Sequence, residues 1–146
     1  MRRLLAALAV LVLLPLAGCG QDPIDSYCSD LAAHRQQLAD MLSSTSPDAL
    51  FSHLSLMKQL ADKSPPDLQN QWQTFLGAIE DLQKALHDAG VKPDQFVGGK
   101  PPAGLSAAHR AAIVDAADEL SSDDVQAAAS GIEQEARDVC KINLGL

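Results

Sequence analysis

Six apolar residues, Leu68, Trp72, Phe75, Ile79, Leu82 and Leu86, follow one another at steps of four, three, four, three and four. That spacing belongs to an α-helix with one buried stripe, of the kind that forms the seam of a left-handed bundle, and to no strand. A helix this amphipathic has to be covered by others, so the feature predicts an all-α fold. Composition points the same way. Leu and Ala dominate, β-branched residues are sparse, and Tyr27, Phe51, Trp72, Phe75 and Phe96 are the whole aromatic complement.

Four more helices are legible. Asp22, Pro23 and Asp25 combine a capping carboxylate, a proline at the first helical position and an acid near the positive end of the dipole. Ile24, Tyr27, Cys28, Leu31, Leu38, Met41 and Leu42 then keep helical spacing. Ser46 as cap and Pro47 as first helical residue signal a second start, leading to a buried face of Leu50, Phe51, Leu54, Met57, Leu60 and Ala61. Ser64-Pro65-Pro66-Asp67 repeats the signal ahead of the Trp72 helix, and Gly90 suits its left-handed stop. Residues 91–104 are rich in Pro and Gly and lack a helical period, which predicts a flexible loop whose Phe96-Val97 touches the body. Leu105-Ser106 opens a fourth helix with Ile113, Val114, Ala117 and Leu120 inward. Ser121 and Asp124 read as a capping box, with Leu120 and Val125 as its hydrophobic staple. The fifth helix that follows turns Val125, Ala129, Ile132, Ala136, Val139 and Cys140 inward, and Gly131 weakens it by up to ~1 kcal/mol relative to Ala.

The chain opens with Arg2 and Arg3 and an apolar run from Leu4 to Leu16, matching the charged and apolar parts of an export signal. The run is shorter than the about 20 apolar residues that span a bilayer core, and Pro15 disturbs its last turn. Leu16-Ala17-Gly18-Cys19 follows, and it resembles the lipobox of bacterial lipoprotein precursors. The resemblance implies residues 1–18 as a cleaved signal peptide and diacylglycerol, with palmitate-type chains, on the Cys19 sulfur. Residues 19–21 become the anchor and short tether of a helical domain spanning 22–146. Whether the new amine of Cys19 is also acylated stays open. A protein so modified is held at the cell membrane, facing outside the cytoplasm, by two chains where one would be marginal. The alternative is an ordinary secretory signal cut nearby, with Cys19 a bystander.

With Cys19 consumed by lipid, Cys28 and Cys140 remain as a pair in a compartment that permits disulfides. Bonding them brings the beginning of helix 1 and the end of helix 5 within about 7 Å. An up-down, four-helix-type bundle of five helices meets this most simply if its fourth leg is split or kinked near Ser121, so that helices 4 and 5 descend together. A hairpin of helices 4 and 5 is the competing layout, which residues 91–104 are long enough to allow. Ile142 and Leu144 are expected to pack beside the disulfide. The whole pattern resembles small helical lipoproteins of high-GC Gram-positive bacteria, and that resemblance implies no particular activity.

The formal charge is −8, and loss of Arg2 and Arg3 with the leader would take it to −10. Nucleic acid is excluded as a partner for want of clustered Lys and Arg, and the acidity disfavours lying flat on an anionic leaflet. No phosphate loop, dinucleotide glycine fingerprint, GxSxG elbow or HExxH motif is present. Asp30 and His34, four apart, read as an ordinary helical pair rather than metal ligands. His53 reads as a boundary residue, His87 as a partner of the negative helix end, and His109 as exposed. With no CxxC and no Cys-His pairing, the cysteines are not expected to form a metal or redox centre. Glu80 and Asp81 near Lys84, and Glu133 four before Arg137, read as solvated pairs. No cofactor beyond the covalent lipid, and no metal, is expected.

The sequence therefore predicts a non-catalytic, membrane-anchored envelope lipoprotein whose acidic face or 91–104 segment engages another envelope protein or polymer. The rival is an extracytoplasmic binding protein for a small apolar ligand or a metal held between the helices. That rival requires a cavity on the order of several hundred cubic ångströms beside Trp72, or converging His and carboxylate groups.

Overall fold

The structure is a computed structural model that describes residues 22–44, 48–96 and 100–144. The leader, the lipobox with Cys19, and the 19–21 tether lie outside the described residues. Those described form five α-helices, α1 (Pro23–Ser43), α2 (Ala49–Asp62), α3 (Gln69–Asp88), α4 (Ala107–Leu120) and α5 (Asp123–Asp138), with a 3₁₀ turn at Pro93–Gln95. They contain no strand, in line with the composition.

Helix boundaries follow local chemistry, with two corrections to the sequence reading. Asp22 caps α1 as expected, its carboxylate accepting from the Ile24 N–H at 3.0 Å. The expected cap of α2, Ser46-Pro47, lies outside the described residues. α3 begins later than Ser64-Pro65-Pro66-Asp67 predicts, because each proline disfavours helical geometry in the residue before it. Ser64 closes α2 instead, its hydroxyl donating to the Ala61 carbonyl at 2.7 Å, and the prolines turn the chain so that the Leu68 N–H bonds Pro65 at 2.9 Å. Gly90 ends α3 at φ +67°, and the Val91 N–H returns to the Leu86 carbonyl at 3.0 Å.

The second correction is at the α4–α5 junction. Ser122, not Ser121, caps α5 by accepting from the Val125 N–H at 3.3 Å. Ser121 belongs to the end of α4, where its hydroxyl donates to the Ala117 carbonyl at 3.0 Å. Ser106 caps α4, accepting from the His109 N–H at 3.1 Å.

α3 packs against α2, α4 and α5, and α1 lies against α2. Buried on α3 are Trp72, Leu76, Ala78, Ile79 and Leu86, with Phe75 and Leu82 half-buried. Leu76 and Ala78 fall outside the predicted single stripe, because a helix covered by three neighbours needs a wider apolar surface. The N-terminal half of α3 meets α5: Trp72, Leu76 and Ile79 share the main core with Ile132, Ala136 and Tyr27. A Cβ added to Gly131 would stand 3.3 Å from Gln71 Cγ, so this glycine sits at a close approach of the two helices. The C-terminal half of α3 meets α4, where Leu86, Val91 and Ile113 form a second, smaller core. Ile24, Val114 and Val139, expected inward, are 39%, 47% and 44% exposed. Ile24 and Val139 occupy the extreme turns of their helices, where the end of the domain leaves them to solvent.

Cys28 and Cys140 are bonded across 112 residues, with α-carbons 5.0 Å apart. Past this bond Lys141 adopts a left-handed conformation, φ +59°, and the Ile142 N–H turns back to the Ala136 carbonyl at 2.8 Å. Ile142 and Leu144 are thereby buried in the main core against which Cys140 packs, as the sequence leads one to expect.

Candidate functional site

Unfilled apolar space lies beside each core. The larger cavity, about 370 Å³, is bounded by Leu50 and Phe51 of α2 and by Leu82 and Leu86 of α3. Pro93, Phe96 and Pro101 of the 91–104 segment form another side, and Ile113, Val114, Ala117 and Leu120 of α4 complete it. The register of the helices accounts for this lining. Ile113, Val114, Ala117 and Leu120 recur at helical spacing along one side of α4, and Leu82 and Leu86 are one turn apart on α3. These side chains line the space without filling it, and Val114 leaves its rim open to water.

A second cavity of about 230 Å³ lies among Leu31, Leu38, Met41 and Leu42 of α1, Leu50 and Met57 of α2, Trp72 and Phe75 of α3, Ala129 and Ile132 of α5, and Leu144 of the tail. It forms where α1, packed on α2, is joined to α3 and α5 chiefly through its early turns, by the disulfide and Tyr27. Leu50 lines both cavities.

Among the described residues neither lining includes an ionisable side chain. Of these, Trp72 alone carries a side-chain N–H, and this Nε1–H donates to the Tyr27 hydroxyl at 3.2 Å. Tyr27 is fully buried. Its pKa is pushed up to about 12 mainly by burial, with the Glu135 charge adding to the rise and the Trp72 hydrogen bond opposing it. An apolar lining of this kind suits an apolar guest, and the larger space falls within the roughly 300–1,000 Å³ typical of ligand pockets.

The polar candidates are distributed otherwise. Asp30 pairs with Lys63 of the α2–α3 turn at 2.7 Å, while His34 Nδ1 lies 2.8 Å from Gln37 Oε1, so Asp30 and His34 each have a separate partner. His53 is half-buried, with Nδ1 2.9 Å from the Ala49 carbonyl, and His87 and His109 are exposed. Glu80 bonds Lys58 across α2 and α3, and Lys84 bonds Asp88 at 2.5 Å. The expected grouping of Glu80 with Lys84 is thus replaced by these two pairs. The hydrogen bond from Lys84 holds the Asp88 carboxyl below its ordinary pKa and raises that of the amine. Arg137 lies 3.4 Å from Glu133, the anticipated pair. Burial first, and then the charges of Asp67 and Asp138, raise the pKa of Glu135. Among the described residues no three His, Cys, Asp or Glu groups converge as metal ligands, and no helix is long and apolar enough to cross a membrane.

Sequence reasoning has Phe96-Val97 touching the body and the α4 residues facing inward, with no cavity between them; Val97 lies outside the described residues. The 370 Å³ cavity lies away from Trp72, where none was anticipated, and Val91, Pro93 and Pro101 join Phe96 in contact with the body. Comparison of the chain with protein-family models, with curated proteins and with solved structures finds no match.

Proposed function

We propose that the chain is a lipoprotein anchored through diacylglycerol on Cys19, held outside the cytoplasm, and that its helical domain binds a small apolar molecule without catalysis. The observation carrying the binding half is the 370 Å³ cavity whose described lining consists of apolar side chains from α2, α3 and α4 with Pro93, Phe96 and Pro101. In this reading the helices form an up-down bundle with four legs, the last one split between α4 and α5 near Ser121. The pairing of α4 with the C-terminal half of α3, and of α5 with its N-terminal half, supports that layout.

Two experiments test the halves separately. In detergent partitioning the wild type is expected in the detergent phase and Cys19→Ala in the aqueous phase; equal partitioning refutes the anchor. For binding, a saturating n-alkanol at about 100 times its Kd is expected to stabilise the folded domain by about 2.7 kcal/mol. Ala117→Trp, which puts an indole into the cavity, should remove that stabilisation while leaving the helical circular dichroism intact. Binding undiminished in Ala117→Trp would place any ligand elsewhere.

A second reading, engagement of an envelope protein or polymer, draws on a groove between α3 and α4 that carries Asp81, Asp88, Asp115 and Glu119. Crosslinking in intact cells that recovers no partner counts against it.

A further inference from the structure

One side chain is shared by the linings of the two cavities. Leu50 is the second residue of α2, and among the described residues it alone borders both the 370 Å³ space, with Phe51, Leu86 and Ile113, and the 230 Å³ space, with Met57 and Trp72. The linings on either side share one chemistry. The described side chains are all apolar, and the N–H of the Trp72 indole is already taken up by Tyr27. A polar group carried into either space would therefore lose water and gain no side-chain partner, whereas each buried methylene tightens binding about fourfold. What suits such a space is an unsubstituted hydrocarbon chain, entering past Val114 with its polar end left in solvent.

We propose that Leu50 is the chain-length determinant of this site: it closes the outer cavity against a linear hydrocarbon chain, and its side chain is the partition between that cavity and the inner one beside Trp72. This deepens the apolar-ligand reading and rests on it. Pruning Leu50 joins the two spaces and lets a longer chain continue inward, while enlarging it shortens the chain that fits.

The test is a titration of the folded domain with n-alkanols of increasing length, from hexanol to tetradecanol, by displacement of 1-anilinonaphthalene-8-sulfonate. In the wild type, affinity should climb about fourfold per methylene and then level off where the chain end meets residue 50. In Leu50→Ala the climb should continue for at least two further methylenes, giving roughly 16-fold tighter binding of the longest alkanols and little change for hexanol. Leu50→Phe should level off earlier than the wild type, and it decides the matter alone if Leu50→Ala fails to fold by circular dichroism. Levelling at the same length in the wild type and the folded variants overturns the assignment of Leu50 while leaving the binding reading standing. No binding of any alkanol by the wild type overturns the binding reading, and this inference with it.

Discussion

The two ends of the domain are built differently. At the disulfide end, the Cys28–Cys140 bond, the Trp72–Tyr27 hydrogen bond and the returning tail all converge on one core, where Tyr27, Leu31, Ile79 and Ala136 are wholly excluded from water. At the other end, the core around α4 is reduced to Leu86, Val91 and Ile113, and a cavity of about 370 Å³ stands beside it. Close packing everywhere would leave no room for a guest. The disulfide end has a space of its own beside Trp72, but at about 230 Å³ it is the smaller of the two and is walled by the larger core.

The strongest way to break that comparison is to cut the staple. Cys28→Ser, or reduction, is expected to lower stability by roughly 4–5 kcal/mol in the chain-entropy view of a loop this long, measured by urea unfolding with and without reductant. A loss below about 1 kcal/mol would move the weight of stability away from the disulfide end.

Paired truncations sharpen the contrast. Ile79→Ala, in the main core and on the lining of neither cavity, should cost about 3–4 kcal/mol, and Ile113→Ala, beside space already unfilled, about 2 kcal/mol. The two isoleucines are 0% and 4% exposed, so burial alone predicts almost no difference between them. Equal losses in denaturant melts would mean that the cavity does not soften its surroundings.

The smallest expected effect at neutral pH concerns the buried phenol. Tyr27→Phe leaves the Trp72 N–H without its acceptor and should cost about 1–2 kcal/mol at neutral pH. The same tyrosine gives the disulfide end an alkaline weakness. Because its pKa in the fold is raised from 10.0 to about 12, its share of the stability is complete below pH 10 and is lost as pH climbs toward 12, by up to about 2–3 kcal/mol. Unfolding followed across that range should slope downward in the wild type and lose that component in Tyr27→Phe.

The disulfide end was the more legible of the two in the sequence, and the reason is physical. The Trp72 seam and the Asp22 cap are local patterns, set by residues two to four apart, and the residues bear them out. Where two residues of the same type compete for one task, as Ser121 and Ser122 do, spacing alone picked the wrong cap. The extra buried positions Leu76 and Ala78 depend on how many neighbours α3 acquires, which is not a property of its own periodicity. The cavities were less legible still. Ile113, Val114, Ala117 and Leu120 read as a stripe meant to be covered, and nothing in such a stripe says whether the opposing side chains will be long enough to meet it. Likewise, the shared position of Leu50 between two spaces follows from the convergence of several elements, not from its place on α2.

The long span of the sulfur bond has a further consequence for how the molecule can come apart. From residue 28 to residue 140 the polypeptide is a closed ring. A protease that nicks one peptide bond within it opens the ring but frees no fragment, so both pieces stay in one molecule. Only a second cut, or a reductant, releases material, and the same nick should therefore give one band on a non-reducing gel and two on a reducing one.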